Sequence, residues 1–312
     1  MKGTADSPLK ALLYLQELRA PFFTASIVPV LVGTSLAFLH SGEWHWLIFL
    51  LALTGTVLIH AGANVINDYF DHLNGNDEAN IDFVRPFTGG SRMIQEGLLT
   101  PNEVLGLSLA CFTLGSAIGF YLVYRTGLLV LAFGIVGVLG GALYVAPRVS
   151  LVAHGIGELV IGINFGILPV IGSYYVQTGE VRWEALLVSL PIAVLIAAIL
   201  FINEFQDYRA DMAVGKRGWV VRLGRSKSAP VYTTLMVTWV LPIVAGVTLG
   251  VFPLLCLAAL LPVVVAAKAI MTARRHYDDP KALTPANGMT IICHLAVGLL
   301  LTATLVIAGI NG

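Results

Sequence analysis

Long apolar runs separated by brief polar connections dominate this chain and leave it few possible folds. Stretches of about twenty apolar residues lie at roughly 20–40, 46–66, 103–124, 127–146, 151–176, 184–205, 229–249, 251–271 and 288–310. Each reads as a membrane-crossing helix, because backbone N–H and C=O groups in lipid must be satisfied within their own segment. The expected fold is all-α and polytopic, with about nine transmembrane helices in one membrane domain over residues 1–312. Only 12% of the residues are charged, about half the share found in soluble domains. Its 18 basic residues are balanced by 18 acidic ones, so there is no basic excess to bind nucleic acid. A soluble enzyme and a disordered chain are excluded on the same grounds, and nothing points to an obligatory protein partner. Cys111, Cys256 and Cys293 lie in apolar runs at unrelated spacings. They read as buried small hydrophobes rather than a disulfide framework or a metal site.

Placing the N-terminus in the cytoplasm puts all but Arg125 and Arg182 of the 18 Lys and Arg residues on the inner side, the bias expected of inner loops. The chain is therefore expected to be a multi-pass protein of the cell (inner) membrane. No cleavable signal peptide is apparent. Residues 1–18 mix Lys2, Asp6, Lys10 and Glu17 with Leu12, Leu13, Tyr14 and Leu15, predicting an amphipathic helix on the membrane surface. Two inner connections, 67–101 and 203–228, hold half of all the acidic residues. The first is far longer than a helix–helix turn requires, and long ordered loops are commonly functional.

The two connections resemble each other. Asn64-Val-Ile-Asn-Asp68-Tyr69 and Asn203-Glu-Phe-Gln-Asp207-Tyr208 share the pattern N-x-x-x-D-Y, followed by Asp71 and Asp211. Spacings of three and four place these side chains on one helical face. Two carboxylates about 5.5 Å apart repel by roughly 3 kcal/mol at an effective dielectric near 20, so such strips call for a compensating cation. Hard divalent ions take oxygen ligands, and Mg²⁺ in particular is held by one or two carboxylates together with substrate phosphates. Facing Asp strips therefore suggest a Mg²⁺-diphosphate clamp. Arg92, Arg148, Lys216 and Arg217 are candidates to neutralise the remaining diphosphate charge; Arg274, Arg275 and Lys227 read as topology signals. Glycines at 134, 137, 140, 141, 162, 166, 246 and 250 read as close helix packing, and His60 and His294 as packed core histidines. Asn164 is polar enough to line a cavity or to bond across helices.

Taken together, Asn67-Asp68-Tyr69-Phe70-Asp71 with Asp77 beyond, Asn203 to Asp211, Ala213-Val214-Gly215-Lys216-Arg217 leading to Val221-Arg222-Leu223-Gly224, and the opening Leu18-Arg19-Ala20-Pro21 resemble the UbiA superfamily of intramembrane aromatic prenyltransferases. The resemblance implies a helical bundle around a central cavity, with Mg²⁺ as cofactor and a polyprenyl diphosphate and an aromatic acceptor as substrates. It implies catalytic Asp68, Asp71, Asp207 and Asp211, with the metal held by these and Asp77. The substrate-binding set it implies is Asn64, Asn67, Arg92, Tyr144, Arg148, Asn203, Tyr208, Lys216 and Arg217. The stretch Gly89-Gly90-Ser91-Arg92-Met93-Ile94-Gln95-Glu96-Gly97-Leu98-Leu99 is similar to the 1,4-dihydroxy-2-naphthoate polyprenyltransferase branch of menaquinone biosynthesis. Two positions depart from the family pattern. Gly75 stands where the 4-hydroxybenzoate type carries a further Asp, and Gly218-Trp219 stands where a small residue or Thr-Leu is usual. The alternatives are another acceptor, such as 4-hydroxybenzoate or a different quinone or lipid precursor, and, from another class, a secondary transporter. A transporter should carry its acids near mid-membrane on broken helices, whereas here they cluster at one face.

Overall fold

The computed structural model describes residues 7–81, 83–144, 146 and 149–311; Lys2, Asp6 and Arg148, named above, lie outside the described residues. In chain order the helices are α1 (Ser7–Glu17), α2 (Ala20–Ser41), α3 (Trp46–Leu73), α4 (Asn76–Ala79), α5 (Pro101–Thr126), α6 (Leu129–Leu143), α7 (Gly157–Thr178), α8 (Trp183–Ala213), α9 (Trp219–Leu223), α10 (Arg225–Thr248), α11 (Leu254–His276) and α12 (Pro280–Asn311). Among the described residues 8 of these are long and apolar enough to cross a membrane. The fourth expected span corresponds to α6, an apolar helix of 15 residues. At 1.5 Å per residue it reaches about 22 Å, short of a hydrocarbon core of about 30 Å.

Turn chemistry sets where the helices stop. Thr100 and Glu103 form a reciprocal capping box with Pro101 at the first helical position, starting α5. Gly42 and Gly179, both left-handed, end α2 and α7 by returning their N–H groups to Phe38 and Tyr175 carbonyls.

α8 is the central helix. Of its most apolar window 67% is buried within the protein, against 22% for α5. Ile192, Leu195, Phe201 and Phe205 of α8 are fully enclosed, packed with Val28 and Leu36 of α2, Tyr232 and Trp239 of α10 and Val297 of α12. α2 contacts α12, α3 and the C-terminal part of α7, while α3 packs along α5. Apolar side chains such as Leu114, Phe120, Leu139 and Leu241 remain exposed on the spans, the surface that lipid covers. Gly162 and Gly166 do let α7 close on Ala193 of α8, and Gly246 lies against Phe252. Gly134 and Gly137, however, face open space, and Gly250 is a left-handed turn residue at φ 70°, so these three do not serve close packing. Cys111, Cys256 and Cys293 are buried free thiols, as expected.

The ends of the bundle differ in character. At the end away from the Asp motifs, Gln177 clasps the backbone of His45 both ways: its Oε1 accepts from the His45 N–H at 2.9 Å and its Nε2 donates to the His45 carbonyl at 3.2 Å. His40 and Tyr174 add a 2.9 Å bond, and the Tyr175 hydroxyl donates to the Thr126 carbonyl at 3.0 Å. At the opposite end α1 lies over the loop before α5. Leu13, Tyr14 and Leu18 pack on Val65, Met93, Leu99 and Val104, and Lys10 pairs with Glu103. Leu9, Leu12 and Leu15 face outward, giving the apolar stripe of an interfacial helix.

Candidate active site

The two Asp motifs occupy the last turns of α3 and α8, and the fold brings them together. After α8 ends at Ala213, Gly215 adopts φ 76°. This left-handed residue reverses the chain, and the Lys216 N–H returns to the Asp211 carbonyl at 2.8 Å. The Lys216 side chain is thereby folded back over the helix end. Its Nζ lies 3.4 Å from Asp71 Oδ2 and 3.8 Å from Asp211 Oδ1, bridging one motif to the other. Burial disfavours the ammonium, but Asp71 and Asp211, with smaller contributions from Tyr144 and Asp207, outweigh it and hold Lys216 well above the usual lysine range. It is a fixed positive charge at any physiological pH.

A second link comes from the loop after α3. Asn76 Nδ2 donates to Asp211 Oδ1 at 3.1 Å and Asn80 Nδ2 donates to Asp207 Oδ1 at 2.7 Å. The short α4 and the residue that caps it thus carry loop asparagines onto second-motif carboxylates. Within the first motif, Asn67 Nδ2 donates to Asp71 Oδ2 at 2.9 Å. Asp68, 2% exposed, accepts the Ser91 N–H on Oδ2 at 2.8 Å, and the Arg19 guanidinium lies 3.5 Å from its Oδ1. Gly90 is indispensable to this contact. It sits at φ 65°, and a Cβ there would fall 2.7 Å from Asp68 Oδ1. Glu17, fully buried at the end of α1, accepts a hydrogen bond from the Ser91 hydroxyl.

Sequence reading missed Glu17, Arg19, Asn76, Asn80, Ser91 and Asn287. In sequence Arg19 is one of many inner-side basic residues, and an acid closing an otherwise amphipathic helix is the one available signal for Glu17. Asn287, near the start of the last span, donates to Asn203 Oδ1 at 2.7 Å and to Gln206 Oε1 at 3.2 Å, fixing the deeper end of the second motif.

The other expected residues divide. Tyr144 lies close enough to Lys216 to feel its charge, and burial keeps the phenol neutral, well above its ordinary range. Asn64 stands one turn deeper than Asp68, on the same face of α3. Arg92, by contrast, donates to the Asp77 carbonyl at 2.8 Å and stacks 4.4 Å over the Phe83 ring; it organises the loop. Arg217 is exposed. The Tyr208 ring carries the Arg225 guanidinium 5.1 Å above it. Arg148 lies outside the described residues. His60 is hydrogen-bonded to Ser26 Oγ at 2.7 Å, whereas neither His294 nitrogen has a partner among the described residues.

Two acids outside the spans titrate abnormally. Burial, then the Asp68 charge, raises Glu17 to about 8. Burial, then Asp68 and Asp71, raises Asp77 to about 8. Folding therefore takes up protons that the unfolded chain has already released above the ordinary carboxyl values of 4.5 and 3.8. That contribution is complete below those values and is lost as pH rises through about 8. In metal-free detergent solution the thermal midpoint should fall between pH 6 and pH 8.5, and Asp77→Asn should flatten the dependence.

No three His, Cys, Asp or Glu side chains converge to hold a metal by themselves among the described residues. The donor set nonetheless suits Mg²⁺, which needs only one or two carboxylates beside phosphate oxygens and water. It consists of Asp and Asn oxygens, and the buried Asp68 Oδ1 and Asn76 Oδ1 accept no hydrogen bond. Farther along α3, an apolar cavity of about 420 Å³ opens between α3, α5, α6 and α7, lined by Ile59, Phe120, Phe133, Asn164, Pro169 and Val176. Asn164, in a π-helical turn, lies 3.5 Å from the Gly137 carbonyl, so it both lines the cavity and bonds across helices.

Comparisons with known proteins agree with this architecture. The chain is 28% identical over 301 residues to the 2-carboxy-1,4-naphthoquinone phytyltransferase of Synechocystis sp., covering 96% of this chain and 94% of that protein. It is 30% identical over 212 residues to the 1,4-dihydroxy-2-naphthoate octaprenyltransferase of Mycobacterium tuberculosis, covering 68% and 70%. A UbiA homologue from Aeropyrum pernix K1 shares the fold at a TM-score of 0.66 and 16% identity, covering 90% of this chain and 96% of that one. A UbiA homologue from Archaeoglobus fulgidus, solved with DMAPP and Mg²⁺, does so at 0.57 and 18%, covering 93% and 99%. Residues 26–293 match the model of the UbiA prenyltransferase family, and with two Asp motifs joined at the end of an all-helical membrane bundle, the chain belongs to that family.

Proposed function

We propose that this membrane prenyltransferase carries a polyprenyl group from an allylic diphosphate to 1,4-dihydroxy-2-naphthoate, using Mg²⁺. The observation that carries the reading is Lys216 within 4 Å of both Asp71 and Asp211. It makes one polar chamber of two motifs that lie far apart in the sequence. The naphthoate and naphthoquinone acceptors in the names of the two relatives support the choice of acceptor.

Asp68, Asp71, Asp207 and Asp211, with Asp77, would hold Mg²⁺ together with diphosphate oxygens. Bound there, the ion would supply Lewis-acid stabilisation of the departing phosphate charge. Lys216 adds a fixed positive charge to the same leaving group. The allylic C–O bond breaks with its electron pair going to diphosphate, leaving the cation to be attacked by the electron-rich ring. A C–C bond forms at the ring carbon bearing the carboxylate, and CO₂ leaves as the ring regains its aromaticity. Tyr144, neutral beside Lys216, can orient the diphosphate by donating its hydroxyl hydrogen. The cavity beyond Ile59 suits the isoprenoid tail, since each buried methylene contributes about 0.8 kcal/mol, and its apolar walls exclude water from the cation.

Membranes containing the protein, supplied with a labelled polyprenyl diphosphate and a panel of aromatic acids, should yield a product whose mass equals prenylated naphthoate less CO₂. A product only with 4-hydroxybenzoate would reassign the acceptor, and no product with any acceptor would sink the reading.

The polar chamber is assigned to the cytoplasmic face of the cell membrane. A cysteine placed at the exposed Lys227 should be shielded from an impermeant maleimide in intact cells, and one at Glu180 should be labelled. The three native thiols are buried, so background should be low; inverted labelling would reverse the orientation.

A further inference from the structure

Beside the Asp motifs lies a second pair of acids that the chemistry above leaves unused. Glu158, in the first turn of α7, and Glu204, near the end of α8, are brought to the same stretch of backbone by the adjacent residues Trp219 and Val220. Glu204 is only 4% exposed. One oxygen of each accepts a backbone N–H: Trp219 donates to Glu158 Oε1 at 3.4 Å and Val220 donates to Glu204 Oε2 at 3.2 Å. The other two, Glu158 Oε2 and Glu204 Oε1, are buried with no hydrogen-bond partner among the described residues.

The backbone held by this pair is the one that carries Lys216. It is pinned further by the Trp219 indole, whose Nε1 donates to the Gly155 carbonyl at 2.6 Å, and by Arg222, which donates to the Ala153 carbonyl at 3.1 Å and to the Arg217 carbonyl at 2.7 Å. Gly218 is part of the fit, since a Cβ at that position would fall 2.7 Å from Glu204 Oε2. The departure at Gly218-Trp219 thus has a physical reason: the glycine admits the carboxylate and the tryptophan reaches the start of α7. We propose that Glu158 and Glu204 are positioning residues that seat the 217–220 backbone on the ends of α7 and α8, so that Lys216 reaches both Asp motifs. The kinetic consequence rests on the prenyl-transfer reading; the structural one does not.

Hydrogen–deuterium exchange and steady-state kinetics on the full-length protein in nanodiscs test it. Glu204→Leu removes the acceptor, and exchange over 217–220 should quicken by about tenfold or more. The KM for prenyl diphosphate should rise about tenfold while that for the aromatic acceptor stays within about twofold. Glu204→Gln should retain the wild-type pattern, because its carbonyl accepts the Val220 N–H. Trp219→Phe, altering an exposed side chain, should shift exchange and the diphosphate KM the same way by a smaller factor, and it serves if Glu204→Leu does not fold. Unchanged exchange in both Glu204→Leu and Trp219→Phe would overturn the proposal. So would Glu204→Gln matching the damage of Glu204→Leu, or equal rises in both KM values. Exchange requires no turnover, so a protein inactive toward every prenyl diphosphate would refute the functional reading while leaving the seating of the loop measurable.

Discussion

Asp68→Ala and Asp207→Ala should each lower Mg²⁺-dependent prenyl transfer by about a thousandfold, equivalent to about 4 kcal/mol of transition-state stabilisation. Each takes an anionic oxygen donor from a chamber whose task is to hold charge as it develops on the diphosphate. The substitutions should not unfold the protein. Asp68 loses a backbone contact from Ser91 and an Arg19 partner, and Asp207 loses one bond from Asn80, while the apolar contacts of α3 and α8 remain. The check is turnover across a Mg²⁺ titration, with elution volume in detergent as the folding control. Activity within tenfold of wild type in either variant would remove the aspartates from the metal's coordination.

Lys216→Ala should lower kcat/KM for the prenyl diphosphate by about a hundredfold. Two effects combine: the leaving group loses a fixed cation, and Asp71 and Asp211, each within 4 Å of Nζ, lose the charge between them. Carboxylates about 7 Å apart repel by roughly 2 kcal/mol at an effective dielectric near 20. Added Mg²⁺ should restore part of the binding and little of the rate. Lys216→Arg should recover less than charge alone suggests, because a planar fork cannot sit between two carboxylates as a compact ammonium does. A larger loss for the acceptor than for the diphosphate would place Lys216 at the ring instead.

Much of this was legible beforehand because membrane helices are written in uninterrupted apolar runs and the Asp motif occurs twice. Repetition at two helix ends, with spacings of three and four, marked Asp68, Asp71, Asp207 and Asp211 without any structure. What could not be read were partners joined only by the fold. Asn76 and Asn80 sit in a loop whose composition is that of any turn, and their bonds to Asp211 and Asp207 span more than a hundred residues. Arg92 had the right charge in the right loop, but the Asp77 carbonyl and the Phe83 ring engage it, a competition no spacing rule reveals.

The reciprocal grip of Gln177 on His45, together with the bonds of Tyr174 and Tyr175, has a consequence for traffic. These four bonds tie one rim of the bundle while the two Asp motifs meet at the other. Helices can therefore part to admit or release a greasy chain more readily at the Asp-motif rim than at the braced one.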